Sequence, residues 1–337
     1  MLPLLLRIFC FGCVCISGLL ATAFPSSAAC DVATKCDAGK SRWSPRGKLE
    51  WSIDYGTDLA KTRLKLRAPE AFVVPLSTIE QAANEKKAAA ISSLKCGRNK
   101  KLVCYTNCGA YEAGHWNEAL LAPVRNKMLG RSMDGYPAER WLNITELDVM
   151  RGLVRDKFAK AAAQGCDAVL CDNTEAWITG TDGKGSTTIS IYRERGIGAV
   201  KQLAAGNVKS NTGFDITFDD QIRFNKMLAE EAHSQCLAIG LVNDVFQIEQ
   251  LADQFDFALN EQCHHCGWCD LYRPFVRANK PVLHLEFHDN EGFCKSGSPS
   301  MTEICKANRT ADRTTFSSLK RAASSKLHLP DQPQSCN

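Results

Sequence analysis

Short apolar runs alternate with amphipathic stretches along most of this chain, and that rhythm limits its folds more than any other feature. Eight such runs stand out: Leu49 to Ile53, Ala71 to Pro75, Leu102 to Thr106, Arg140 to Ile144, Ala168 to Cys171, Leu237 to Leu241, Phe255 to Leu259, and Val282 to Leu285. Most are rich in β-branched or aromatic residues and only a few residues long, which predicts parallel strands buried on both faces. Between them lie helical patterns. Ser77-Thr-Ile-Glu80 reads as a capping box for a helix running to about Leu94. Glu146 to Gln164 places Leu147, Met150, Val154 and Phe158 on one face and stops at Gly165, and Asp219 to Gln235 repeats the scheme. Strands that alternate with helices pair in parallel through right-handed crossovers, and eight such units close into an α/β (β/α)8 barrel, a TIM barrel. An open, doubly wound sheet is the alternative architecture.

At 337 residues the chain could hold two average domains, but barrels of this type fill such a length as one. Residues 1–29 read as a signal peptide: Arg7 supplies the positive charge, Ile8 to Phe24 is mainly apolar, and Ser27-Ala28-Ala29 offers small residues before a cut. An uncleaved membrane anchor is the competing reading. Three of the 17 cysteines (Cys10, Cys13, Cys15) fall in that segment, leaving 14, an even number that suits a disulfide-bearing secreted chain. Two sequons, Asn143-Ile-Thr145 and Asn308-Arg-Thr310, are compatible with that route. The barrel is expected over residues 30–305, with an insertion rich in Gly, Ser and Thr at 178–210. Residues 306–337, poor in apolar side chains, read as a loosely packed tail whose end Cys336 could tie down. A net charge of +4, without long basic runs, gives no ground for nucleic-acid binding. The expectation is a secreted monomer with no membrane contact after cleavage, no cofactor and no metal.

In a parallel barrel the chemistry sits at the C-terminal ends of the strands. There this sequence places Asp54, Glu112, Asn143, Asp172-Asn173, Asn243-Asp244, Asn260-Glu261 and Glu286, with Tyr55, Tyr105, Tyr111, Trp116 and Trp177 nearby as surfaces for sugar rings. One Asp or Asn after a strand is often only a turn or helix cap. Polar residues at nearly every strand end are harder to assign that way. No nucleophile elbow, phosphate loop or dinucleotide fingerprint accompanies them. Glycoside hydrolysis fits such a rim, because one carboxyl must protonate the leaving oxygen while a second attacks the anomeric carbon or activates water.

The segment from Phe214 to Phe287 resembles glycoside hydrolase family 114, the endo-α-1,4-polygalactosaminidase family. The likeness lies in the helix Asp219 to His233, in Gly240-Leu-Val-Asn-Asp244 and in Phe255-Asp-Phe-Ala-Leu-Asn-Glu-Gln-Cys263. Upstream, Val103 to Glu112, Trp141-Leu-Asn-Ile144 and Gly165 to Asn173 are similar to further motifs of that family. The resemblance implies hydrolysis of a galactosamine-containing polysaccharide by Asp172 and Glu261. Asp172 is assigned as nucleophile and Glu261 as acid/base, roles that the sequence leaves exchangeable. A noncatalytic carbohydrate-binding barrel and a glycosidase of another sugar specificity are the alternatives. The positions at and near the strand ends make Asp54, Tyr105, Tyr111, Glu112, Asn143, Asn173, Trp177, Asn243, Asp244, Asn260 and Glu286 the expected substrate contacts. Val242 stands where the family usually has Lys, Cys171 where it has Pro, and Asn143 where it has Asp, which bears on sugar specificity. Cys263-His-His-Cys-Gly-Trp-Cys269 has spacing that suits zinc; the resemblance instead implies a disulfide-bearing loop.

Overall fold

The computed structural model describes residues 41–54, 69–81, 91, 95, 100–179, 188–204, 210–287, 298–321 and 334–336. The expected signal peptide, Tyr55 and parts of the 178–210 insertion lie outside these. Among the described residues no helix is long and apolar enough to cross a membrane.

Eight parallel strands run side by side in a nearly closed barrel: β1 (Trp51–Ile53), β2 (Ala71–Pro75), β3 (Lys101–Asn107), β7 (Ala168–Asp172), β8 (Ala238–Val242), β9 (Phe257–Glu261), β10 (Val282–Phe287) and β11 (Phe316–Arg321). Side chains draw the last strand towards the first. The Ser317 hydroxyl accepts from the Leu49 amide at 2.9 Å, the Trp51 indole donates to the Ser317 carbonyl at 2.7 Å, and the Arg321 guanidinium donates to the Ile53 carbonyl. A short strand β12 (Gln334–Ser335) pairs antiparallel with β11.

The barrel and its eight strands match the sequence reading, but two strands exchange places. Arg140 to Ile144 does not enter the barrel. Its strand, β6 (Tyr136–Leu142), pairs antiparallel with β4 (Ala110–Tyr111) and β5 (Leu129–Met133) in a separate three-stranded sheet between β3 and β7. Trp141, Leu142 and Ile144 are apolar because they roof the outer core, not because they cross the barrel. The eighth strand is β11, inside the expected tail, so barrel structure extends past residue 305. Its sequence, Phe-Ser-Ser-Leu-Lys-Arg, looks like surface, yet all six residues are buried. Each polar side chain has a partner there. Ser318 bonds to His284 Nδ1 and accepts from Asn308 Nδ2, both at 2.8 Å, while the Lys320 ammonium donates to the Pro299 carbonyl at 2.6 Å. Buried polar groups are tolerated when satisfied, so composition misreads this strand. Asn308 is thereby committed to the interior, and the second sequon is not open to a glycan in the folded chain.

The helices at Leu147–Ala163 and Phe218–Ser234 pack on each other where expected. The second opens on a full capping box made by Thr217 and Asp220. The helix near Ser77 begins at Leu76. The insertion carries a helical stretch, Thr188–Ala204, kinked at Gly196.

Alternation along the strands splits the apolar side chains into two cores. Phe72, Val74, Leu102, Cys104, Val169, Cys171, Ile239, Leu241 and Ala258 face the helices. Trp51, Ile53, Val73, Val103, Leu170, Val242, Phe257, Leu259 and Leu285 fill the barrel. Gly240 leaves room inside: a Cβ there would lie 2.5 Å from Leu170 and 2.6 Å from Phe257.

Two disulfides, Cys104–Cys166 and Cys108–Cys171, cross between β3 and the β7 region. Cys263–Cys269 closes a small loop after β9, and Cys305–Cys336 ties down the chain end, as the sequence allowed. Cys236 and Cys266 are also disulfide-bonded. The Cys108–Cys171 bond spans 63 residues, so Cys108→Ala combined with Cys171→Ala should cost about 2–4 kcal/mol by closing less of the unfolded chain. Urea unfolding measures this, and an unchanged midpoint would contradict it.

Candidate active site

Strand parity decides which carboxyls reach the barrel mouth. Ala168 and Leu170 point inward, so Asp172, the last residue of β7, continues on the inner side. Phe257 and Leu259 do the same for Glu261 at the end of β9. One strand, β8, separates them, which sets their backbones about 10 Å apart and lets the side chains converge.

Asp172 is clamped from several directions. Its carboxylate accepts from the Tyr105 hydroxyl and, at 2.8 Å, from the Asn173 amide. Its carbonyl accepts from the amides of Cys108 and Gly109 at 3.1 and 3.2 Å. The chain turns at once through Asn173, whose φ is 59°. That turn presses so close to Gly109 that a Cβ would sit 1.6 Å from the Asn173 carbonyl oxygen, and only glycine is compatible with the contact. Burial raises the Asp172 pKa, while the Tyr105 and Asn173 bonds favour the ionised form and oppose the shift.

Glu261 rests on Asn243. The Asn243 amide donates to Glu261 Oε2 at 3.3 Å, and its oxygen accepts the Glu261 backbone N–H at 3.0 Å. Asn243 and Asp244 adopt left-handed turns (φ 51° and 43°), as does Gln262 (φ 64°), so the backbone bends sharply beside the carboxyl. Burial, followed by the negative charge of Asp172, pushes the Glu261 pKa up to about 7, against the Asn243 bond. Removing that bond with Asn243→Ala should move the Glu261 titration to still higher pH and lower kcat/KM about tenfold through lost alignment. The pH profile of kcat/KM reads this directly, and a limb displaced to lower pH would contradict it.

The remaining sequence candidates divide. Asp244 is buried and accepts from the Trp177 indole at 3.2 Å and from Asn225 at 2.9 Å. Trp177 itself packs edge-on against Phe218 and Phe246 and is 1% exposed, so it braces the floor and offers no face to a sugar. Asn260 donates to the Tyr272 hydroxyl and accepts from the Cys263 amide, both at 2.8 Å. Glu286 lies on the outward side of β10, where Oε1 accepts from the amides of His264 and His265 and bonds to His284 Nε2. Those partners, led by His284, hold its pKa below the ordinary value against burial. Asn260, Asp244 and Glu286 are thus committed to holding the loops behind the pair. Asn143 accepts from Thr145 in the turn before the helix at Leu147. Asp54 is buried after β1. Tyr111 donates to Glu118 at 2.9 Å and lies under Arg125, and Glu112 meets His115 at 3.3 Å. Trp116 carries the buried Lys157 ammonium 3.6 Å from its ring centre.

Three side chains that the sequence did not mark join the cluster. Glu139, on β6, accepts from Asn107 at 2.8 Å, and its pKa is raised by burial and then by Glu112 and Asp172. Glu175 lies within the field of Asp172, Asp244 and Glu261. Tyr272 is fully buried and senses Asp244, Glu175 and Glu261. Glu175 was within reach of sequence reasoning, three residues past Asp172. Glu139 was not, because its strand stands outside the barrel rhythm.

Cys263, Cys269 and His284 could be grouped as metal ligands by distance. The two sulfurs, however, are bonded to each other and offer no thiolate, and both His284 nitrogens are engaged, by Ser318 and Glu286. The zinc reading therefore does not fit.

A barrel that ends in two coupled carboxyls within an acid-rich mouth has the makeup of an O-glycosyl hydrolase. The chain belongs to glycoside hydrolase family 114, whose family model matches residues 32–327. The structure of Ega3 from Aspergillus fumigatus in complex with galactosamine is similar at 24% identity and a TM-score of 0.62, covering 88% of this chain and 98% of that one. The glycoside hydrolase domain of PelA from Pseudomonas aeruginosa is similar at 9% identity and a TM-score of 0.49, covering 86% and 99%. No curated protein matches this chain significantly.

Proposed function

We propose that this glycoside hydrolase cleaves α-linked galactosamine-containing polysaccharide outside the cell, by a retaining double displacement with Asp172 as nucleophile and Glu261 as acid/base. The observation that carries the assignment is the asymmetry of the pair. Glu261, with a pKa of about 7, can hold a proton at near-neutral pH. Asp172 receives two hydrogen bonds that favour its charge. In the first step Glu261 protonates the departing glycosidic oxygen while Asp172 Oδ attacks the anomeric carbon. In the second, Glu261 takes a proton from water, which displaces Asp172 and regenerates both groups. Asn243 aligns Glu261, and Tyr105 aligns Asp172.

The substrate class follows from charge. Glu112, Glu139 and Asp172 lie within one another's field at the mouth although the whole chain is net positive. A local negative field concentrates cationic ligands, and a de-N-acetylated galactosamine polymer is one. Ega3, of the same architecture, was solved with galactosamine. Export is supported by the disulfides and by the apolar segment ahead of Ala29.

The test is a glycan panel read by released reducing ends: de-N-acetylated and N-acetylated α-1,4-galactosamine oligomers, a glucosamine polymer and an α-glucan. Release from the de-N-acetylated galactosamine chains is expected. Turnover confined to the neutral glucan, or binding without any release, would overturn the reading.

A further inference from the structure

Between β7 and the 3-10 turn Ala176–Thr179 stands Glu175, a carboxyl with no evident duty in the two-residue mechanism. Its Oε2 is sealed from solvent and has no hydrogen-bond partner. The group does accept from the Thr174 backbone. Titratable neighbours face it from each element around it: Asp172 at the end of β7, Asp244 in the turn after β8, Glu261 at the end of β9, and Tyr272 in the segment that follows. Every one of them is an acid. Among the described residues no cation compensates an ionised carboxylate in that position, and one of its oxygens is without a donor. Such groups neutralise by keeping their proton.

We propose that Glu175 is an uncharged, proton-bearing third carboxyl of this active site, a positioning residue that leaves Asp172 as the one ionised member of the trio Asp172, Glu175 and Glu261. This rests on the catalytic roles proposed above. Burial, and then the charges of Asp172, Asp244 and Glu261, lift the Glu175 pKa well above the carboxylate range, which agrees with the geometry. The neutral state matters for the first chemical step. As Asp172 loses its charge to the new bond with the anomeric carbon, Glu261 acquires one by releasing its proton. A charged Glu175 would oppose that release; a neutral one permits it.

Infrared spectroscopy of the whole protein, paired with kinetics, tests the proposal. At about pH 8.5 Glu261 is largely ionised, so a protonated-carboxyl carbonyl band that persists there and disappears in Glu175→Gln is the expected signature. In the same variant kcat/KM should stay within about tenfold of the native value, and the alkaline limb of its pH profile within about 0.3 units. An unchanged band on substitution, or a limb that falls by about one unit or more, would overturn the proposal, because either means that Glu175 carried a charge. Should Glu175→Gln fail to fold, carboxyl-13C glutamate in the native protein serves instead. The band must shift with that label, and one that does not shift belongs to Asp244 and refutes the assignment. A fully active Glu261→Gln enzyme would sink the catalytic pair while leaving this band in place, so the two failures are separable.

Discussion

Asp172→Asn should lower kcat by about four orders of magnitude while leaving the barrel folded. The substitution keeps the size of the side chain and one of its two acceptor oxygens, enough for the Asn173 amide, while the position bonded to the Tyr105 hydroxyl becomes an NH2 donor. It removes the nucleophilic oxygen and the negative charge. The amide cannot form the covalent intermediate, so the loss appears in kcat more than in KM. A second consequence follows from the electrostatics. The Asp172 charge is one cause of the raised Glu261 pKa, so the Glu261 titration should move to lower pH in the variant. Rates from released reducing ends, with thermal unfolding as the control, measure the first effect. Normal turnover in a folded Asp172→Asn protein would contradict the assignment.

Glu261→Gln should cost between about 10²- and 10⁴-fold, the range for loss of a positioned general acid. The cost depends on the leaving group: natural polymers, whose leaving alkoxide needs a proton, should show the full loss, and activated aryl glycosides much less in the first step. The native enzyme should show a bell-shaped pH profile. Activity falls as pH rises through about 7, where Glu261 loses the proton it must donate, and falls as pH drops through the raised pKa of Asp172, which must be ionised to attack. In Glu261→Gln the alkaline limb attributed to Glu261 should vanish. An alkaline limb retained at the same pH would assign that titration to another group.

The barrel was legible because buried parallel strands have a signature that survives in one sequence: short apolar runs spaced by amphipathic helices. Where that signature and burial part company, the reading slipped. Phe316–Arg321 is buried through hydrogen bonds rather than apolar content, and its Ser, Lys and Arg residues look like surface until Leu49, His284, Asn308, Pro299 and Ile53 supply their partners. Tyr136–Leu142 is buried only at Trp141 and Leu142, the end that packs on the outer core. At the mouth, strand ends were readable as positions but not as roles. Asp172 ends β7 and Glu286 is the last residue but one of β10, yet opposite parity sends one toward the cleft and the other into a cage of backbone amides. Trp177 looked like a sugar platform, and only its burial, with edge contacts to Phe218 and Phe246 and the indole bond to Asp244, shows that it offers no open face. Glu139 reaches the cluster through a sheet outside the repeat, a long-range placement that local pattern does not carry.

The most direct test of the account is to trap the glycosylated enzyme with a slow, fluorinated galactosamine donor and map the adduct by peptide mass spectrometry. The account predicts one sugar per chain, attached through an ester to Asp172. Label on Glu261, or a product of inverted anomeric configuration with no adduct at all, would contradict it.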